Sequence, residues 1–164
     1  MKTRNISVYY TEYDNIEELT PEDRELIIAA REVSENAYAP YSKFRVGAAV
    51  RLSGGNIVKG ANVENAAYPS GICAERNALA NCVTNFPGET PLTIAIAAFN
   101  HDGKADENVS PCGMCRQVIA EEESRNGNKI RMILSGAGRI VIIDSVSDLL
   151  PLQFNMNNLR VAHP

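Results

Sequence analysis

Hydrophobic residues recur every three to four positions between residues 20 and 37. The periodic positions are Leu26, Ile27, Ala30, Val33 and Ala37. Thr20 suits the cap and Pro21 the first turn of a helix, because a threonine oxygen accepts from unpaired N–H groups and proline has no N–H to leave unpaired. Pro40 prevents continuation. The pattern predicts an amphipathic helix from residue 20 to about residue 37.

The next segment, FRVGAAVRLSGGNIVKGANVEN at residues 44–65, alternates apolar and polar positions. Its centre, residues 53–56, contains two glycines that tolerate positive φ. This combination predicts two antiparallel strands joined by a tight turn. Upstream, ISVYYTEY at residues 6–13 is compatible with an added edge strand.

Three short runs rich in β-branched residues follow, at 92–99, 129–135 and 138–144. Helical patterns lie before the first run, at 70–81, and between the first two, at 112–125. SVSDLLP, ended by Pro151, is typical of a short capped helix. Strands that alternate with helices predict a layered α/β fold, here with about five core strands and three main helices.

Composition and charge narrow the function classes. The 164 residues are 45% hydrophobic and 22% charged, so we expect one compact globular domain. Residues 1–19 show no clear period, so we expect them to form an N-terminal extension of unclear role before a domain over residues 20–164. The net charge is −4 and basic residues are scattered, so no positive stripe for nucleic acid is expected. No apolar signal core or bilayer-length apolar run is present, which predicts a cytoplasmic protein without a membrane partner.

Four cysteines in a chain without an export signal indicate metal binding or catalysis rather than disulfides, because a reducing compartment keeps thiols free. Cys112 and Cys115 lie near a predicted helix start, where Ser110 can cap and Pro111 suits the first turn. Both thiols then project from one side of the helix, whose positive end stabilises thiolates. The spacing by itself also serves redox dithiols and structural zinc knuckles.

Cys73 offers a third thiolate, near a helix start that follows Pro-Ser-Gly. Cys82 lies about two and a half turns further along the same helix, so we assign it to core packing. His101, in a polar loop, and His163, one residue from the end of the sequence, are expected to face solvent. Three protein ligands with an open fourth position form the pattern of a catalytic zinc site.

Glu75 and Arg76 follow Cys73 closely. A zinc hydrolase needs a carboxylate that is not a ligand to carry protons, and a guanidinium would offset the negative charge of Zn²⁺ with three thiolates. Residues two apart on a regular helix point about 200° apart, so Cys73 and Glu75 converge only if Cys73 lies at an irregular helix entry. The alternative is a solvated Glu-Arg pair on the helix surface.

Four motifs in order resemble the zinc-dependent cytidine deaminases. They are FRVGAA at 44–49, NVENAAY at 62–68, CAE at 73–75 and PCGMC at 111–115, and the similarity spans roughly residues 20–155. The resemblance implies a three-layer α/β/α fold with a five-stranded mixed sheet and one Zn²⁺ per chain. It also implies hydrolytic deamination of cytidine and 2′-deoxycytidine in pyrimidine salvage.

Position by position, the resemblance makes Cys73, Cys112 and Cys115 the zinc ligands and Glu75 the proton shuttle, with Arg76 balancing charge. The implied substrate contacts are Asn62 and Glu64 to the ribose, Phe44 stacked on the pyrimidine, and the backbone around Ala66 and Ala74 to the base. Phe154 resembles an aromatic that small members insert into a neighbour's site, which implies a homotetramer. Without the resemblance, Phe44 suits a core position, and Asn62 and Glu64 a solvated loop.

Two other readings stay open at this point. A deaminase of another cytosine compound, such as a nucleoside antibiotic or a base in a polynucleotide, would use the same zinc chemistry. Glu64 favours a free nucleoside and the acidic net charge disfavours a polymer. A zinc-stabilised binding module is the other alternative, but a structural site would leave no open coordination position and no use for Glu75.

Overall fold

The computed structural model describes residues 1–102 and 108–159. Within these ranges it contains six strands and four α-helices. The strands are β1 Thr11–Tyr13, β2 Arg45–Leu52, β3 Ile57–Ala61, β4 Pro91–Phe99, β5 Arg131–Ser135 and β6 Ile140–Ile143. The helices are α1 Pro21–Ser34, α2 Ala74–Asn85, α3 Gly113–Asn126 and α4 Met156–Leu159. No helix in these ranges is both long and apolar enough to cross a membrane.

The strands form one mixed sheet in the order β1-β6-β5-β4-β2-β3. Only the β4–β5 pair is parallel. The predicted number of five strands is wrong, because the N-terminal extension supplies a sixth. Residues Thr11 to Tyr13 pair antiparallel with β6, so the edge strand suggested by ISVYYTEY is confirmed for the last three residues of that run.

Helices cover both faces of the sheet, with α1 on one face and α2 and α3 on the other, which gives the predicted three layers. The central strands are buried on both sides, so successive residues alternate between two hydrophobic clusters. The strand residues packed on the α1 side are Ala49, Ala95, Ala97, Ile133, Ile140 and Ile142. Those on the α2 and α3 side are Ala48, Val50, Leu52, Val58, Ile94, Ile96, Met132, Leu134 and Ile143.

The hairpin and the turn near the C-terminus are confirmed. Strands β2 and β3 pair antiparallel around residues 53–56, where Gly55 has φ of 88°. A 3₁₀ turn at Val146–Asp148, capped by the Ser145 side chain, occupies the SVSDLLP segment. Helix α1 ends at Ser34, three residues before the predicted end, because the chain leaves the helix to reach a parallel bridge between Tyr38 and Val63.

Candidate active site

Two helices begin at the same place, each with a cysteine as its N-cap. Cys73 precedes α2 with φ −73° and ψ 154°, and Cys112 precedes α3 with φ −65° and ψ 169°. Both residues are therefore extended, and the irregular entry that Cys73 required is confirmed. The predicted cap at Ser110 is wrong, because the chain stays extended through Pro111 and α3 begins only at Gly113.

The three thiols of Cys73, Cys112 and Cys115 lie together. The Sγ atoms of Cys73 and Cys112 are 3.9 Å apart, those of Cys112 and Cys115 are 3.4 Å apart, and all three lie within 4.8 Å of one another. A tetrahedral zinc with Zn–S bonds of about 2.3 Å separates its sulfurs by about 3.8 Å. All three cysteines are free thiols. The cluster therefore fits one zinc ion per chain.

The thiols influence one another's acidity. A hydrogen bond from the buried Cys115 thiol, helped by the positive charge of Arg76, lowers the pKa of Cys73 to about 6. The same bond is the main cause that raises the pKa of Cys115. Cys82 is different, because burial raises its pKa to about 12 and it packs in the hydrophobic core, as predicted.

Glu75 lies in the first turn of α2, and only 5% of it is exposed. Burial raises the pKa of this carboxyl group, while a hydrogen bond involving the Cys115 thiol acts in the opposite direction. The side chain therefore faces the thiols rather than solvent, which excludes the alternative of a solvated surface pair for Glu75. Arg76 lines the same cavity.

A cavity of about 680 Å³ opens next to the thiols, a size suited to a nucleoside. Four of the predicted substrate residues line it: Phe44, Asn62, Glu64 and Ala74. Two others do not. Ala66 is exposed outside the lining, and Phe154 lies beside α3, 57% exposed, with its carbonyl accepting a hydrogen bond from Gln117 Nε2 at 2.8 Å.

Asn62 fixes the beginning of β2. Its Oδ1 accepts a hydrogen bond from the Val46 N–H at 2.7 Å, and its Nδ2 donates to the Phe44 carbonyl at 3.0 Å. Because Asn62 holds the backbone on both sides of Arg45, it fixes the place from which the Phe44 ring enters the cavity.

Glu64 is held by the loop before Phe44. Its carboxylate accepts from the Ser42 hydroxyl and from the N–H groups of Tyr41, at 2.9 Å, and Ser42, at 3.3 Å. These bonds, led by the Ser42 hydroxyl, lower the pKa of Glu64. The same hydroxyl accepts from the Phe44 N–H at 3.0 Å. Ser42 thus connects two predicted substrate residues.

The sequence reasoning missed Ser42 and Asn77. Asn77 donates from Nδ2 to the Ala61 carbonyl at 3.0 Å and so ties α2 to the end of β3. Neither residue belongs to a periodic pattern, although Ser42 lies two positions before Phe44 in a turn-forming stretch. His101 is exposed, as expected, and pairs with Asp102 at 3.2 Å, whereas His163 lies outside the described residues.

Comparisons with known proteins agree with this geometry. A model described as "Cytidine and deoxycytidylate deaminase zinc-binding region" matches residues 20–126, which is more than half of the chain. A cytidine deaminase from Sporosarcina psychrophila is 38% identical over 137 residues, covering 84% of this chain and 94% of that protein. One from Halalkalibacterium halodurans is 44% identical over 100 residues, covering 60% and 71%.

The solved structures show the same likeness. The crystal structure of a cytidine deaminase from Burkholderia pseudomallei is 38% identical and superposes with a TM-score of 0.67, covering 83% of this chain and 100% of that one. With a family model over more than half of its length, relatives above 30% identity and a three-thiol cluster that fits zinc, the chain belongs to the cytidine deaminase family of zinc-dependent hydrolases.

Proposed function

We propose that the chain hydrolyses cytidine and 2′-deoxycytidine to uridine and 2′-deoxyuridine with release of ammonia, as a step of pyrimidine salvage. The observation that carries this proposal is the buried carboxyl group of Glu75, which lies beside the three thiols in a nucleoside-sized cavity. A structural zinc site has no use for such a group.

Cys73, Cys112 and Cys115 are the residues that would hold the zinc ion. When bound with three protein ligands, zinc supplies Lewis-acid activation of water at neutral pH. Glu75 carries both protons of the attacking water. It takes the first as the C4–O bond forms and delivers it to N3 of the cytosine ring, then takes the second from the new C4 hydroxyl and delivers it to the amino group as the C4–N4 bond breaks and ammonia leaves. This is the chemistry of the zinc deaminases as a class.

The remaining residues bind and orient the nucleoside. Phe44 stacks on the pyrimidine ring, and the backbone around Ala74 contacts the base, supported by the position of both residues in the cavity lining. A contact from Ala66 requires the exposed segment around it to close over the base. Arg76 balances the negative charge of the thiolates, supported by its contribution to lowering the Cys73 pKa.

Glu64 supports the acceptance of both sugars. A carboxylate offers about four acceptor positions, and the Tyr41 and Ser42 groups use three of those on Glu64. The open position lies on Oε1 and suits one hydroxyl rather than a pair. Contact with the 3′ hydroxyl alone leaves the 2′ hydroxyl without a required partner, so the deoxynucleoside turns over comparably.

Assembly and location are part of the same proposal. A homotetramer, in which Phe154 of one subunit reaches a neighbour's site, is supported by exposed aromatic side chains at Phe154 and near the cavity, at Tyr41 and Tyr68. Function in the cytoplasm is supported by the need to keep the clustered thiols reduced. The boundary between the extension, residues 1–19, and the deaminase domain, residues 20–164, remains a prediction.

The test compares Glu75→Gln with Glu122→Gln, a matched change at a buried acid on α3 outside the cavity lining. Deamination is followed as falling ultraviolet absorbance with cytidine and with 2′-deoxycytidine, and zinc is measured on the same samples. We expect Glu75→Gln to keep one zinc per chain and to lose about 100- to 10,000-fold in kcat on both substrates. Turnover equal to that of Glu122→Gln would refute the role of Glu75, and rejection of 2′-deoxycytidine by the unmodified enzyme would refute the sugar argument.

A further inference from the structure

We propose that Arg116 is a positioning residue for the zinc centre, fixing the backbone that presents Cys112 and tying it to the C-terminal segment. The inference uses the assignment of the three thiols as zinc ligands and goes beyond the catalytic roles proposed above. Arg116 does not line the cavity, so it acts through the backbone rather than on the substrate.

Arg116 holds two consecutive carbonyl groups at the start of α3. Its side-chain Nε donates to the Pro111 carbonyl at 2.8 Å, and its backbone N–H donates to the Cys112 carbonyl at 2.9 Å. The bond to Cys112 is the ordinary i to i−4 bond of an α-helix, which any residue at position 116 would make, whereas the bond to Pro111 depends on the arginine side chain. The side chain therefore completes the anchoring of the peptide groups on both sides of the Cys112 Cα. With both peptide planes fixed, the direction of the Cys112 Cα–Cβ bond is fixed as well.

Cys112 is the ligand that most needs this support. It is the exposed member of the three thiols, and its side chain makes no capping hydrogen bond. Cys115 is buried within the first turn of α3, and its position is set by the helix itself. The Cys112 Sγ is thus placed relative to Cys115 by the backbone geometry that Arg116 holds.

The same guanidinium reaches the C-terminal segment. Its Nη1 donates to the Leu149 carbonyl at 2.9 Å. The next residue, Gln117, donates to the Phe154 carbonyl. Both side chains therefore bind the C-terminal segment, but of the two only Arg116 also binds the loop that carries Cys112. This difference makes Gln117 a matched control.

The experiment uses purified full-length protein with Arg116→Met, Arg116→Lys and Gln117→Met. Methionine keeps an apolar stem without the donors, and lysine keeps the charge without the fork that serves two carbonyls. Zinc affinity is measured by chelator competition, and ligand geometry by the visible absorption of the cobalt-substituted protein. Thermal unfolding of each metal-loaded variant reports stability separately.

We expect Arg116→Met to lower zinc affinity about 10- to 100-fold and to change the cobalt–thiolate absorption. The zinc affinity of Arg116→Lys should lie between those of Arg116→Met and the unmodified protein. Gln117→Met keeps the affinity and the spectrum. If Arg116→Met does not fold, Arg116→Lys carries the comparison. The proposal would be overturned if the Arg116 variants kept the zinc affinity and spectrum of the unmodified protein. It would also be overturned if the Arg116 and Gln117 variants lost zinc affinity to the same extent. Absence of deamination in the zinc-loaded unmodified protein would refute the proposed function and leave this inference standing.

Discussion

Glycine at position 60 sets how closely α2, and with it the metal site, approaches the sheet. A Cβ atom added at Gly60 would lie 2.4 Å from the Ala78 nitrogen and 2.7 Å from the Ala74 carbonyl oxygen. Both are backbone atoms of α2, which no side-chain rotation can move. The helix must therefore recede by about 1 Å to reach ordinary van der Waals distance.

The expected effect of Gly60→Ala has two parts. Overpacking of this kind costs about 1–3 kcal/mol of unfolding free energy. The displaced helix also carries Cys73 at its cap and Glu75 in its first turn, whereas Cys112 and Cys115 stay with α3. A shift of about 1 Å between catalytic groups costs up to about 100-fold in rate. We expect lower stability, weaker zinc binding and a fall in kcat together.

Gly47→Ala is the matched control on the opposite face of the sheet. There the added Cβ would lie 2.0 Å from the Ala30 carbonyl oxygen of α1, which carries none of the proposed zinc ligands or catalytic residues. We expect a similar or larger loss of stability with zinc affinity and kcat retained. Urea unfolding, chelator competition and the absorbance assay measure the three quantities. Equal effects of the two substitutions on kcat, or none from Gly60→Ala, would refute the reasoning.

Two further predictions concern the α1–β5 ion pair and the substrate loop. Arg131 donates to both carboxylate oxygens of Asp23, at 2.7 and 2.8 Å, and this bond lowers the pKa of Asp23 in the folded state. The ion pair therefore stabilises the fold fully above the pKa of about 3.9 that Asp23 has in the unfolded chain. This stabilisation is lost as the pH falls through the lower pKa of Asp23 in the folded chain. Since Arg131 is partly exposed, we expect Asp23→Asn to lower the free energy of unfolding by about 1–3 kcal/mol at pH 7, and by less at pH 3. Urea unfolding at both pH values measures this, and an equal loss at both would contradict the reasoning. Ser42→Ala removes the hydroxyl shared by Glu64 and the Phe44 N–H, so we expect KM for cytidine to rise about 10-fold with kcat nearly unchanged, and a fall in kcat alone would contradict a binding role.

The sequence predicted the layers and most elements because each has a local cause. Alternation around two glycines defined the β2–β3 hairpin, and the threonine cap and apolar spacing defined the start of α1. The end of α1 was misplaced because a long-range bridge between Tyr38 and Val63, rather than local propensity, takes the chain out of the helix. The sixth strand is only weakly indicated by the sequence, because β1 has three residues and is stabilised by its pairing with β6.

The residues of the candidate site likewise fall into those that the sequence predicts and those that it does not. The metal cluster could be read from the sequence, since the spacing of Cys112 and Cys115 fixes their shared face and Cys73 was the remaining thiol near a helix start. The roles of Ser42 and Arg116 could not be predicted from the sequence. Ser42 binds the Glu64 side chain and Arg116 binds the Pro111 carbonyl, and these contacts exist only in the folded chain. Residue type and spacing therefore predict metal ligands, but they give little information about the residues that hold those ligands in position.

The cysteine caps show how helix stability and metal binding oppose each other in this chain. Thr20 caps α1 by accepting from the Asp23 N–H at 3.2 Å, but the side chains of Cys73 and Cys112 cap neither α2 nor α3. A missing cap costs about 1 kcal/mol. The N–H groups left uncapped lie at the positive helix ends, where they offset the excess negative charge of three thiolates around a divalent ion. Serine at either position would satisfy an N–H group and remove a ligand in one step, so substitutions chosen for helix stability alone would select against the metal.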